Sequence, residues 1–138
     1  MKRDWELDID FLGFLDDYRD LAGKLPKGMA VVDLGCADSI QAVYFCDRVY
    51  TGVDCGTEID MRYKGTNVHQ YKMTIQDYCE SLKEQGFDKD NVFAFCCNVP
   101  DNGVWKIVRD TFNYYRITFP MDCYPHNRYF EEKIPNER

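Results

Sequence analysis

A chain of 138 residues that is 45% hydrophobic, 15% aromatic and 30% charged has the length and apolar content for one domain with a substantial core, which excludes a disordered or low-complexity protein. Its formal net charge of -7 argues against a nucleic-acid or anionic-membrane binder, because polyanions require a basic face and no Lys/Arg run supplies one. No apolar stretch approaches bilayer length, and the acidic opening "MKRDWELDID" has no signal-peptide core, so the expectation is a cytoplasmic protein with no membrane contact.

In chain order, residues 8–25 carry apolar side chains at helical spacing: Phe11, Phe14, Leu15, Tyr18, Leu21, Ala22 and Leu25. Asp8 or Asp10 can cap that helix, and Pro26 with Gly28 ends it. "MAVVDLG" at 29–35 is apolar almost throughout, the mark of a strand covered on both faces. Ser39 is placed to N-cap a helix over 39–48, and "VYTGVD" at 49–54 is a second strand. Residues 55–67 read as irregular or a short helix, and "VHQYKM" at 68–73 as a third strand. Thr74 and Asp77 form a variant capping box that opens a helix closed by Gly86. "NVFAFCCNV" at 91–99 is a fourth strand, Pro100 and Asp101 start a helix running to about Phe112, and "YYRITF" at 114–119 is a fifth strand closed by Pro120. The tail at 121–138 is polar and proline-punctuated and shows no element pattern.

The seven cysteines, at 36, 46, 55, 79, 96, 97 and 123, are odd in number and include no C-x-x-C pair. They read as reduced, small apolar side chains, with adjacent Cys96 and Cys97 on opposite faces of a strand. His69 falls on a strand with polar neighbours, and His126 has no partner at metal-ligand spacing, so no metal site is expected. The alternation of short strands and helices implies right-handed crossovers, a mainly parallel sheet with helices on both sides, and a ligand beyond the carboxyl ends of the strands.

The first strand-to-helix turn, "GCADS" at 35–39, is therefore the place to look. Gly35 permits a sharp bend and close approach of a ligand, and Asp54 ends the next strand about 20 residues on, where a carboxylate can accept from both ribose hydroxyls. A dinucleotide fingerprint would need glycine where Ala37 and Ile40 stand, and Asp38 would repel a pyrophosphate; a P-loop is absent. An acid inside the first strand, Asp33, is costly if buried alone and suits a ligand carrying an ammonium and a sulfonium.

The run "VVDLGCADS" followed by "YTGVD" resembles motifs I and II of class I S-adenosylmethionine (SAM)-dependent methyltransferases, and the order of elements agrees from residue 8 through strand five. The resemblance implies a three-layer αβα Rossmann-like sandwich with strand order 3-2-1-4-5, short of the family's C-terminal strands. It implies one domain over 1–138, made of a helical segment at 1–27, a core at 28–120 and a tail at 121–138. It puts Asp33 and Gly35 near the methionine part of SAM, Asp54 on the ribose hydroxyls, and Thr74 and Ile75 at the adenine, with Cys36, Ala37 and Cys55 as further cofactor-binding candidates. Asn98, at the end of strand four, stands where the family's [DNS]-P-P-[YFW] motif touches substrate or cofactor, but this chain lacks the first proline and the aromatic.

Two functions follow. One is SAM binding with methyl transfer to a small molecule or protein, which requires alignment and exclusion of water rather than a catalytic triad, so no catalytic residue is nominated. The other is an inactive relic acting as a binding or interaction module, since Ala37 and Ser39 replace the motif's outer glycines. Another nucleotide cofactor rests on fold analogy alone. For Asp33, capping a neighbouring loop stands level with cofactor contact, and an asparagine placed like Asn98 is more often a turn former before proline than a catalytic group. Tyr18 or Trp5 could line the site from the first helix, whereas Tyr44, Tyr63 or tail aromatics would fill it in a relic. Ending the sheet at strand five would leave an edge to be covered by the tail or paired in a homodimer.

Overall fold

The computed structural model describes residues 9–37, 39–56, 65–120 and 128–135, with side chains in the first helix described from Leu15 onward. The expectations attached to Trp5, Asp8, Asp38, Tyr63, Cys123 and His126, and to the side chains of Asp10, Phe11 and Phe14, lie outside the described residues.

Among the described residues eleven elements follow one another: α1 (Ile9–Lys24), β1 (Ala30–Leu34), a 3-10 helix (Ile40–Phe45), β2 (Tyr50–Asp54), β3 (Val68–Lys72), α2 (Ile75–Gln85), a 3-10 turn (Lys89–Asn91), β4 (Val92–Cys97), α3 (Val104–Thr111), β5 (Tyr114–Pro120) and β6 (Arg128–Lys133). They build one six-stranded sheet in the order 3-2-1-4-5-6. The first five strands are parallel and β6 runs antiparallel to β5. The order reverses at β1, which pairs β2 on one side and β4 on the other. Such a switch point opens a crevice at the carboxyl ends of the strands.

Strand parity sorts the core into two layers. Val31, Tyr50, Phe93, Phe95 and Cys97 face α1 and the 3-10 helix, where they meet Tyr18, Leu21 and Phe45. Tyr18 and Phe95 have ring centroids 4.6 Å apart. Val32, Leu34, Val53, Ala94, Cys96 and Ile117 face α2 and α3, packing on Cys79, Trp105, Val108 and Phe112. Each such large side chain removed from water contributes about 1.5–3 kcal/mol. Cys96 and Cys97 do fall on opposite faces, and the six described cysteines are all free.

The helix boundaries have local causes. Thr74 accepts the Asp77 N–H and caps α2 as expected, and Gly86, at φ 75°, stops it. Asp101 receives the N–H groups of Gly103 and Trp105, so α3 begins at Val104, one turn later than Pro100 suggests. The segment expected as a helix over 39–48 is a 3-10 helix, and Ser39 does not cap it with its side chain: the residue is left-handed, at φ 59°. Ile40, Val43, Tyr44 and Phe45 are weak helix formers, and an i to i+3 bond from the Ala42 N–H to the Ser39 carbonyl suffices for the crossover.

Of the two expectations for the strand-five edge, cover by the tail or pairing in a homodimer, the first holds: β6, from the tail, pairs with it from Tyr115↔Lys133 to Pro120↔Arg128. Side chains hold β6 from both faces. On one, Arg109 grips Glu131 with Nε and Nη2, Tyr115 donates to the same carboxylate at 2.9 Å, and Tyr129 stacks on Trp105 at 4.4 Å. On the other, the buried Arg116 joins Glu132 and Asp17, and Arg128 donates to both Asp17 oxygens. Among the described residues no helix is long and apolar enough to cross a membrane, and no cluster of side chains could hold a metal ion.

Candidate functional site

At the carboxyl ends of β1, β2 and β4 lies an open cleft of about 250 Å³, lined by Gly35, Val53, Asp54, Cys55, Met73, Ile75, Asn98, Val99 and Pro100. Its floor and walls are mostly apolar, with Asp54 and Asn98 as the polar side chains. The strand ends are stitched together by backbone bonds: the Gly35 and Cys36 N–H groups both reach the Val53 carbonyl, Met73 donates to Asp54, and Asn98 donates to Thr118.

The loop after β1 keeps the shape of a glycine-rich turn with other residues in it. Gly35 is at φ 80°, Ala37 at 51° and Ser39 at 59°. Left-handed backbone costs an L-residue about 1–2 kcal/mol, and it persists only where surrounding contacts enforce it. Here the Asp54 carboxylate does so, accepting the Ala37 N–H at 3.0 Å and the Gly56 N–H at 2.8 Å. A carboxylate has roughly four lone-pair directions, so Asp54 retains acceptor capacity toward the cleft. Asn98 is a third left-handed residue, at φ 62°, so the strained non-glycine positions cluster around this crevice.

Gly35 is required by space as well as by φ, because a Cβ there would lie 2.6 Å from Val99 Cγ2. Val99 is itself held, its carbonyl accepting the Trp105 indole N–H at 2.8 Å. Gly52 leaves room on the other face for Cys36 and Ser39, whose Sγ and Oγ stand 2.8 and 2.6 Å from where its Cβ would be.

The cleft brings together five of the nine sequence-nominated residues: Gly35, Asp54, Cys55, Ile75 and Asn98. The other four do not line it. Thr74 uses its hydroxyl on the α2 cap, and Ala37 contributes its N–H to Asp54. Cys36 is buried against Gly52, and burial pushes its thiol up to about 12, far from a nucleophile's range.

Asp33 lies apart from the cleft lining. Its parity turns it toward α1, where it is fully buried and accepts from Tyr18 at 2.8 Å, Gln41 at 2.5 Å and Tyr50 at 2.5 Å. Burial raises its carboxyl to about 6, against the lowering effect of those three donors. Tyr18 thus reaches the motif acid rather than the cleft, and both its phenol and that of Tyr50 are raised well above the ordinary value by the same burial. Gln41 also donates to the Cys36 carbonyl, so the network fixes the loop from beneath.

Sequence reasoning missed Val53, Met73, Val99 and Pro100. All four flank strand ends, and their apolar character at the carboxyl end of a parallel strand was the available signal.

No family model matches the sequence, and no curated protein is similar to it at the level of sequence. Solved structures are similar in shape. A SAM-dependent methyltransferase from Agrobacterium tumefaciens superposes with a TM-score of 0.58 at 8% identity, over 83% of this chain and 45% of that one. The plantazolicin methyltransferase BamL, solved with a triazolic desmethylPZN analogue and S-adenosylhomocysteine, gives 0.57 at 14% identity, over 84% of this chain and 47% of its own. The chain thus spans about half the length of these two. A candidate methyltransferase from Streptococcus mutans, solved with S-adenosylhomocysteine, gives 0.52 at 10% identity, over 86% of this chain and 97% of its own. The fold is that of the class I SAM-dependent methyltransferases, with a sheet in the order 3-2-1-4-5-6.

Proposed function

We propose that this chain binds SAM in the cleft, with the ribose hydroxyls on Asp54 and the adenine between the Met73–Ile75 side and the Val99–Pro100 side. The observation that carries the reading is Asp54: it stands at the end of β2, is fastened by the Ala37 and Gly56 N–H groups, and borders an apolar crevice at the switch point. The donors fit a ribonucleoside, since a fixed carboxylate meets the hydroxyls and apolar side chains meet the flat base. Bound SAM would supply a methyl group already activated on a sulfonium, leaving the protein to align it with an acceptor and keep water out. The acceptor class we propose is a small molecule or a protein. Six free cysteines, four of them buried, are consistent with action in the cytoplasm.

A second reading, a binding module without turnover, is favoured by Asp33, whose oxygens are already engaged by Tyr18, Gln41 and Tyr50. Calorimetric titration with SAM and S-adenosylhomocysteine tests the shared premise. Saturable heat that weakens in Asp54→Ala supports binding, and absence of heat at millimolar ligand overturns it. Methyl release to added acceptors then separates the enzyme from the module.

A further inference from the structure

One peptide group joins the two acids of the motif. The Cys36 carbonyl accepts from Gln41 Nε2 at 3.0 Å and from the Ser39 N–H at 3.0 Å. The N–H of the same peptide, on Ala37, donates to Asp54 at 3.0 Å. Gln41 Nε2 also donates to Asp33 at 2.5 Å, so a continuous run of hydrogen bonds leads from the buried acid of β1 to the acid at the end of β2. Resting on the cofactor reading above, we propose that Gln41 is a positioning residue, which holds the Cys36–Ala37 peptide in the orientation that fastens Asp54 for the ribose hydroxyls.

The chemistry of the amide suits that role. Two acceptors, a carboxylate and a carbonyl, meet at one nitrogen, and an NH2 group carries one proton for each. Gln41 is 2% exposed, so water does not stand in for either bond. Asp33 is held in turn by Tyr18 at 2.8 Å and Tyr50 at 2.5 Å, which anchors Gln41 to the core rather than to the loop it restrains.

The loop needs such a restraint because its backbone is strained. The carbonyl and N–H of a trans peptide point in opposite directions, so fixing the Cys36 oxygen aims the Ala37 N–H. Turning this peptide over would take Ala37 from φ 51° out of the left-handed region, relieve its strain and withdraw its N–H from Asp54. The other N–H on Asp54, from Gly56, belongs to the turn that follows Asp54 itself, so the Ala37 bond is the one that ties this carboxylate to the loop after β1.

The test follows amide hydrogen exchange and S-adenosylhomocysteine binding in the full chain. Gln41→Met keeps the length of the side chain and loses both donors. It is expected to speed exchange of the Ala37 amide about tenfold relative to that of Gly86, whose bond to Leu82 lies in α2, and to weaken S-adenosylhomocysteine about five- to tenfold in calorimetry. Gln41→Asn keeps the amide but draws it back by one methylene; it should give the same pattern at smaller size, and it decides the matter if the methionine variant does not fold. Affinity unchanged in a folded variant, or Ala37 and Gly86 exchanging faster in parallel, overturns the inference and leaves the cofactor reading standing. Absence of binding by the native chain overturns the cofactor reading instead, and the Ala37 exchange then decides whether Gln41 holds the peptide on Asp54.

Discussion

The Tyr50 hydroxyl donates to the Asp33 carboxylate at 2.5 Å in a part of the core that solvent does not reach. Tyr18 and Gln41 complete the set, so an acid in a strand otherwise made of apolar residues is satisfied by neutral donors from three separate elements. Neutral donors stabilise a buried carboxylate without cancelling its charge, so desolvation still wins and the group titrates at about 6.

That shift has a sign. The folded state holds the Asp33 proton more tightly than the unfolded chain, so the associated stability is full below about pH 3.8 and is lost as pH rises through about 6. The loss amounts to roughly 3 kcal/mol, from about two units of pKa. Urea midpoints measured from pH 4 to pH 6 should fall in the native chain, and Asp33→Asn should flatten that slope. A slope that survives the substitution assigns the titration to another group.

Ala37 is held left-handed at φ 51° by its N–H bond to Asp54. Glycine relieves a strain of about 1–2 kcal/mol and costs about 0.5–1 kcal/mol of backbone entropy. Ala37→Gly is therefore expected to stabilise the chain by about 0.5–1 kcal/mol in equilibrium unfolding. Destabilisation would show that the methyl group makes packing contacts worth more than the strain.

The sheet and its order were legible because they rest on local patterns: apolar strands at 29–35 and 91–99, the Thr74 cap, and a glycine turn with an acid one strand later. β6 was not legible, because "RYFEEK" has no apolar face to speak of. Its partners are Arg109 on α3, Asp17 on α1, and Tyr115 and Arg116 on β5, so that the Arg128–Asp17 pair spans 111 positions of sequence. The environment of Asp33 was hidden for a similar reason. Its place in an apolar strand flagged it as unusual, but its three partners come together only when α1, the 3-10 helix and β2 converge.

The clamp on β6 has the opposite pH signature. The Arg109 fork, helped by Tyr129 and Tyr115, holds the Glu131 carboxyl down to about 2. Its contribution is therefore present above about pH 4.5 and lost as pH falls toward 2. The pair is partly exposed, with Arg109 at 36% and Glu131 at 26%, so solvent screening limits it to about 1 kcal/mol. Glu131→Gln should cost that much at pH 7 and nothing near pH 2, and should speed hydrogen exchange of the β5 amides that pair with β6. Equal destabilisation at both pH values would mean that the side chain acts through packing alone.

Asn98 combines a left-handed backbone at φ 62° with a side chain on the cleft wall, and two substitutions separate those roles. Glycine keeps the conformation and removes the amide; alanine removes the amide and adds strain. Asn98→Gly should leave thermal stability within about 0.5 kcal/mol of the native chain, whereas Asn98→Ala should lose about 1 kcal/mol. If the amide contacts a bound nucleoside, both variants should weaken S-adenosylhomocysteine by a similar factor, about three- to tenfold. Binding retained in the glycine variant and lost in the alanine variant would assign Asn98 to shaping the backbone at the end of β4, where its N–H already meets the Thr118 carbonyl at 2.7 Å.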